Sequence, residues 1–530
     1  MLFTSYAFIA FLAILILLYY LVPKKWQWAL LLLGSYVFYY FSGWTNLLYL
    51  LAATATTYLT ALAIGRRQAA EKTYLAEHKA EMSREERKEW KAAEKTKQRR
   101  LMLLGILLSI GMLAVVKYTN FTIANINGVL SFFHSSKQLS FLDIMLPMGI
   151  SFYVFQSAGY LIDVYRGKTE AERSFLRYAL FVSFFPQLVQ GPISRFDDLA
   201  EGLYREHPFD KKTVAFGLQR VLWGYFKKMV IADRLLGVVT TIIGDTETYS
   251  GAFVFAGMVF YAVELYCDFT GGIDITIGIA QTLGIRVKEN FDRPYFSKNL
   301  KEFWNRWHIT MGSWFTDYIF YPVSVSRFML NTSRWSRKHL GDAVGKRVPV
   351  YLSCFIVWFA TGIWHGASWN FIVWGLGNCV VLLISQELEP FYRWFHAHTR
   401  VEGRRWWDSF RVGRTLLIVS TLRLFDCYRN VPLTIRMFGS MVSARNWGAL
   451  VNGSLLELGL TVQDYIVVTA GTVLILIVSL LQRKKSVRER IAGLAYPLRF
   501  AIWYGLFLIV LVFGAYGIGF DASQFIYNQF

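Results

Sequence analysis

"VYLSCFIVWFATGIWHGASWNFIVWGLGNCVVLL", residues 350–383, holds two uncharged apolar runs joined by a short break. The first run is apolar enough to be buried in a helical bundle. Gly362 and Gly366 are spaced four apart, which permits close approach of a neighbouring helix or a ligand. Gly366 suits the position just past a helix C-terminus, and Ser368 suits the cap of the helix that follows. His365 is therefore expected at a break between two helices, where irregular backbone is tolerated only against protein or a water-filled cavity. An ionisable side chain at membrane depth is a functional candidate by default, with a histidine bonded to a carbonyl as the structural alternative. A neutral imidazole there would accept a proton from a hydroxyl near neutral pH.

The composition places these runs in a membrane. Of 530 residues, 55% are hydrophobic and 17% charged, against about 25% charged in an ordinary soluble domain. The 18 Trp, 30 Tyr and 43 Phe include the two residue types that favour membrane–water interfaces. Several apolar runs approach the roughly 20 residues that a helix needs to cross a bilayer. The chain reads as a multi-pass membrane protein with membrane lipid as its surroundings. Its net charge of +20 is spread over loops between the spans, as the topology rule for Lys and Arg produces. No nucleic-acid motif accompanies that charge, so no nucleic-acid partner is expected. Cys267, Cys354, Cys379 and Cys427 show neither a CxxC pair nor metal-like spacing, so neither a metal site nor a disulfide framework is expected.

Working outward, residues 1–64 divide into three spans, Thr4–Val22, Trp26–Phe41 and Asn46–Ile64. "MLFTSYAFIAFLAILILLYYLVPKK" has no charge before its apolar run and two lysines after it, the reverse of a cleaved signal peptide. It is expected to be a retained span with an outer N-terminus. Residues 65–100 form a basic cytoplasmic helical loop; Arg66–Arg100 holds 12 Lys/Arg and 7 Asp/Glu. Pairs one helical turn apart, such as Glu81 and Glu85 with Arg84 and Lys88, are expected to lace it. Residues 101–385 hold the core. Within it Leu101–Lys117 returns outward, "INGVLSFFHSSKQ" is a loop, and "LPMGISFYVFQSAGYLIDVYRGK" crosses inward. "RYALFVSFFPQLVQGPISRF" is short and interrupted by Pro186 and Pro192, which suits a re-entrant or kinked segment. "LWGYFKKMVIADRLL" suits an interfacial helix. Residues 386–462 are a connector and late helix. Residues 463–530 carry two further spans, Tyr465–Leu481 and Arg499–Phe513, with "QRKKSVRER" cytoplasmic between them and the C-terminus outside.

His308 is the other histidine among aromatics, in "NLKEFWNRWHITMGSWFTDYIFYP". Read as one helix, Trp304, Trp307, Met311, Trp314 and Tyr318 share a stripe that His308 borders, with Asn305, Arg306 and Asp317 as polar neighbours. An interfacial helix with an aromatic belt explains the same pattern. In "ELYCDFTGGIDITIGIAQTLGI", Glu264, Asp268 and Asp274 sit in an apolar frame, where acids have a partner or line a polar path. From these residues a catalytic site and a transporter's proton or solute path both remain open.

Four motifs carry a resemblance: "MLPMGISFYVFQSAGYLIDVYRG", "FFPQLVQGPISRF", "ENFDRPYFSKNLKEFWNRWHITMGSWFTDYIFYPV" and "TGIWHGASWNFIVWG". In this order they resemble the bacterial branch of the membrane-bound O-acyltransferase (MBOAT) family. The first three spans and the closing "FIYNQF" are similar to its AlgI-like members, and the DltB-like members are the nearest alternative. The resemblance implies an all-α, multi-pass transmembrane helical bundle around a central tunnel. About 10–13 membrane helices are expected, counting re-entrant or interfacial ones. It implies His365 at the catalytic histidine position and His308 at the second characteristic one. Asn305, Arg306, Trp307, Asp268, Asp317, Gln190 and Trp364 are the candidates for lining the tunnel. It further implies an acyltransferase of the bacterial cell membrane, with no bound cofactor and acetyl-CoA as donor. The implied partners are an exported SGNH-hydrolase-like acetyltransferase and polysaccharide synthesis and export machinery. In the DltB-like case the donor is D-alanine on a carrier protein and the acceptor teichoic acid. "LRLFDCYRNVPLTIRMFG" matches the family's late element only loosely, and "YCDFTGGIDI" replaces its commoner sequence around Asp268.

Overall fold

Ser5 caps the first helix, α1 (Tyr6–Leu21), by accepting from the Phe8 amide. Phe8, Leu12, Leu15 and Tyr19 are buried along one face, while Ile14, Leu17 and Leu21 are exposed on the others. A helix that is apolar on its outer face as well as its inner one belongs in hydrocarbon. The computed structural model describes residues 2–516 except 79 and 484. The closing "FIYNQF" and the C-terminal orientation lie outside the described residues. Helices account for the regular structure, and the described residues contain no strand beyond an isolated bridge between Phe291 and Trp307.

The chain forms two compact units. One comprises Met1–Gly217 with Ile279–Lys288, the other Leu218–Gly278 with Glu289–Phe530. In the first unit α1 is followed by α2 (Gln27–Tyr40), α3 (Trp44–Glu77), α4 (Arg84–Phe132) and α5 (Ile150–Arg166). Short helices α6 (Phe175–Ser183), α7 (Phe185–Leu188) and α8 (Phe196–Tyr204) complete it, and α9 (Lys211–Tyr225) leads out. The break between α6 and α7 falls at Phe184, just before Pro186, as the proline interruption predicts.

Two expectations for this unit need correction. α4 runs 49 residues, through Phe132, so half of the expected outer loop "INGVLSFFHSSKQ" is helical. The charges of 65–100 also work differently. α3 ends at Glu77 and α4 starts at Arg84 behind a Ser83–Glu86 capping box, leaving Glu81 in the turn. The two helices lie side by side, and buried Glu94 takes Arg67 from the facing helix at 3.2 Å and Lys97 from its own at 2.6 Å. Gln98 donates to Glu71 at 2.8 Å across the same seam. The seam therefore replaces a single solvated helix laced by local pairs. Replacing Glu94 by Gln is expected to lower thermal stability by about 1 kcal/mol, because its partners are half-exposed. A melting curve of the full chain in detergent checks this.

The second unit begins with a π-helical segment, Phe226–Ala232, and α10 (Asp233–Gly244), then α11 (Ala252–Thr282), whose last residues count with the first unit. α12 (Leu300–Arg306), α13 (Ile309–Phe315), α14 (Tyr321–Ser324) and α15 (Arg327–Gly345) lead to the pair α16 (Val348–His365) and α17 (Trp369–Glu387). α18 (Glu389–Thr399), α19 (Arg405–Tyr428), α20 (Val431–Val442), α21 (Val462–Leu481), α22 (Val487–Ala492) and α23 (Tyr496–Phe513) follow. Across the described residues seven helices are long and apolar enough to cross a membrane: α3, α4, α11, α16, α17, α21 and α23.

The segment "LWGYFKKMVIADRLL" is no surface helix. Lys227 and Lys228 are both buried. Lys228 Nζ lies 2.5 Å from Asp268 and 2.6 Å from Asp233, and Lys227 Nζ lies 2.6 Å from Asp274. Burying an ammonium is tolerated where carboxylates are held against it; Asp268 and Asp274 of α11 and Asp233 of α10 supply them. Phe226, Ile231 and Leu235 pack beside these pairs against Val468 and Ile475 of α21 and Leu506 of α23.

Candidate active site

α16 ends where the glycine pattern predicts. Gly366 adopts φ −172° and ψ 154°, an extended conformation rather than a left-handed one, and Ser368 precedes α17 without a side-chain cap bond. Space, not backbone freedom, requires glycine here. A Cβ on Gly366 would lie 2.2 Å from the Phe371 ring, and one on Gly362 would lie 2.6 Å from the Phe371 carbonyl oxygen. On the facing helix, a Cβ on Gly375 would lie 2.5 Å from the Trp358 carbonyl oxygen. These contacts press α16 and α17 together and set the direction in which His365 leaves its helix.

His365 is 6% exposed. Its ring packs edge-on against Trp374 at 4.6 Å and Trp364 at 4.9 Å, and Phe371 lies at 6.4 Å. The Trp364 indole also meets the His308 ring, at 5.9 Å. The two histidines, 57 positions apart in sequence, thus share one tryptophan ring.

His308 reaches that place because the expected helix through residues 304–318 breaks. α12 stops at Arg306, Trp307 is extended, and His308 takes a left-handed conformation with φ 50° before α13 resumes. Asn290 is the cause. Its carbonyl accepts from the Ile309 amide at 3.0 Å, and its side-chain oxygen accepts from the Thr310 amide at 3.0 Å and the Thr310 hydroxyl at 2.9 Å. The same oxygen lies 3.2 Å from His308 Nδ1. An atom that accepts from a backbone N–H is the amide oxygen, so His308 Nδ1 carries a proton and Nε2 keeps the lone pair. Phe269 closes the other face of the ring at 4.9 Å. Replacing Asn290 by Leu, of similar volume, is expected to release this tautomer and slow turnover about tenfold or more at unchanged protein yield. Kinetics at saturating donor check it.

The remaining candidates separate. Trp307 is buried and joins the aromatic cluster, with Trp304 beside it. Asn305 is exposed on α12, and Arg306 is tied to Glu302 at 2.7 Å. Asp317 is half-buried in the π turn that follows α13. Asp268 points at Lys228, while its neighbour Phe269 is the residue on His308. Gln190 is fully buried in the other unit, where its side-chain amide makes no hydrogen bond among the described residues.

One charged group was not expected. Arg423, in the loosely matching segment, is 6% exposed and lies over three indoles: Trp374 at 4.8 Å, Trp307 at 5.4 Å and Trp304 at 5.8 Å. Asp426 holds it at 3.1 Å. A paired guanidinium stacked on indole rings is a fixed positive charge in a low-dielectric site. Arg423 and His365 both pack on the Trp374 ring. The signal was present in "LRLFD", an Arg and an Asp three apart inside an apolar helix, where each is costly alone.

The arrangement offers a histidine at a helix break, a second with its tautomer set, and a fixed cation, all within an aromatic wall. A family model for MBOAT, the membrane-bound O-acyltransferase family, matches residues 172–410, which include both histidines. The probable alginate O-acetylase AlgI of Azotobacter vinelandii is 32% identical over 84% of this chain and 79% of its own length. The chain belongs to the membrane-bound O-acyltransferase family. Two further relatives match over shorter stretches. The peptidoglycan O-acetyltransferase of Helicobacter pylori is 30% identical over 56% of this chain and 57% of its own. The teichoic acid D-alanyltransferase of Bacillus subtilis is 25% identical over 53% of this chain and 67% of its own. The protein is thus an MBOAT acyltransferase, all-helical and multi-pass in the membrane.

Proposed function

We propose that this acyltransferase passes an acetyl group from cytoplasmic acetyl-CoA across the bacterial cell membrane for O-acetylation of an exported cell-surface polysaccharide. The observation that carries the reading is His365 at the α16–α17 break, packed on the same Trp364 ring as His308. The AlgI relatives, at 32% identity over most of both chains, favour acetyl as the group moved.

In this reading His365 takes the proton of an acceptor hydroxyl as its oxygen attacks the thioester carbonyl. The C–S bond then breaks, the coenzyme A thiolate leaves, and the proton held by His365 neutralises it. His308, donating from Nδ1 to Asn290, offers Nε2 toward the acceptor or donor and orients it. Arg423 stabilises negative charge as it develops on the carbonyl oxygen. Trp307 and Trp364 shape the acyl position. Asn305, Arg306, Asp268 and Asp317 support the site rather than take part in the bond change. The N- and C-termini face outward, and final transfer to the polysaccharide falls to an exported SGNH-hydrolase-like partner within the synthesis and export machinery.

The D-alanyl alternative is supported by a more distant and shorter match. Purified protein in proteoliposomes, given labelled acetyl-CoA or D-alanyl carrier protein in separate reactions, distinguishes the two. Acetyl-CoA consumption with release of free thiol is the expected result. Turnover of the D-alanyl carrier alone would replace the acetyl reading.

A further inference from the structure

Two buried asparagines of α17 take no part in the bond change. Asn370 and Asn378 flank Trp374 at spacings of four, so the three side chains stack along one side of the helix. Each is 1% exposed. Trp374, in the middle, carries both the His365 ring at 4.6 Å and the Arg423 guanidinium at 4.8 Å. The asparagines on either side make bonds that bear on that cation. Asn378 donates to the Trp374 carbonyl at 2.9 Å, one turn back. Its side-chain oxygen accepts from the Trp304 indole at 3.0 Å, and Trp304 is another of the rings beneath Arg423. Asn370 donates to the Phe425 carbonyl at 3.1 Å. Phe425 stands in α19 between Arg423 and its counterion Asp426.

The Asn370 bond is not needed to satisfy the backbone. The Phe425 carbonyl already accepts from the Arg429 amide at 3.2 Å, which closes the end of α19. Asn370 meanwhile leaves its own side-chain oxygen buried, with no hydrogen bond among the described residues. An unmade buried acceptor costs at least as much as one ordinary hydrogen bond returns. A leucine of similar volume would avoid that cost. The bond therefore contributes little net stability; what it fixes is place. It ties the first turn of α17, just beyond the His365 break, to the end of α19 that holds Arg423.

We propose that Asn370 is a positioning residue for acyl transfer, holding Arg423 in place against the Trp374 ring on which His365 packs. That role rests on the acyl-transfer reading in which Arg423 stabilises charge developing on the carbonyl oxygen. A fixed charge is effective only as far as it is preorganised. Without the Asn370 bond α19 is free to shift against α17, and the cost falls on the transition state rather than on donor binding.

A double-mutant cycle in the purified full chain tests this, run with whichever donor the wild type turns over, acetyl-CoA or D-alanyl carrier protein. Asn370→Leu is combined with a neutral background, Arg423→Gln with Asp426→Asn, which removes the cation together with its counterion. In the wild-type background Asn370→Leu is expected to lower kcat about tenfold, the upper size of a neutral hydrogen bond, with KM and melting temperature unchanged. In the neutral background, itself slowed, the same change is expected to cost nothing more. Asn370→Ala repeats the cycle, so that a misfit of leucine is not mistaken for the lost bond. Unchanged kcat, a tenfold loss in both backgrounds, or a lower melting temperature with kcat per folded molecule preserved would overturn the positioning role. Full activity of the neutral background would instead overturn the role given to Arg423, and the role of Asn370 with it.

Discussion

Alanine at position 365 is expected to reduce acyl transfer about 10²–10⁴-fold, the range that positioned proton transfer contributes. The imidazole is held on three sides by Trp364, Phe371 and Trp374, so its removal takes away the base while the surrounding wall keeps its shape. The helix break also stays, because Gly362, Gly366 and Gly375 set it by contact and not through the imidazole. Melting of His365→Ala should consequently fall only by the packing lost from one side chain. A purely structural histidine would show the opposite pattern, a large loss of stability with activity per folded molecule preserved. His365→Gln separates the cases further: it refills much of the volume and should not restore turnover.

The second large effect is on folding. Lys228 sits between Asp233 and Asp268, with its side chain 1% exposed. Lys228→Met keeps the length and apolar stem but removes the cation from between two buried acids. Breaking a buried pair from one side costs about 3–5 kcal/mol, since the remaining charges stay desolvated. The variant should lose folded yield in the membrane or melt well below wild type in detergent. The double change Lys228→Met with Asp268→Asn should recover part of that loss. Recovery in the double variant distinguishes a charge imbalance from a simple packing defect.

The parts of this fold that were legible are those decided locally. Apolar runs gave helices α1, α2, α21 and α23 within a few residues, and glycine spacing gave the break after His365. The proline interruption marked the α6–α7 break in the same way. What was not legible depends on distant partners. The residues from Trp304 to Tyr318 carry a good helical stripe, yet Asn290 takes the amides of Ile309 and Thr310 and splits the helix at His308. The basic stretch around residues 65–100 has charges suited to local pairs, but α3 lies along α4 and Glu94 finds Arg67 there. Lys227 and Lys228 look interfacial until α11 presents Asp268 and Asp274 to them. Cys354 and Cys379, 25 positions apart, bring their sulfurs to 3.5 Å because α16 and α17 cross closely. Arg423 is the largest omission: its role depends on three indoles from α12, the α12–α13 break and α17.

The most direct test of the central claim is a single-turnover reaction of purified protein with labelled acetyl-CoA and a hydroxyl acceptor, run for wild type and His365→Ala at equal folded concentration. The account predicts label in an O-ester of the acceptor and one equivalent of free coenzyme A thiol for wild type, with both lost together in the variant. Equal O-ester formation by His365→Ala would contradict it.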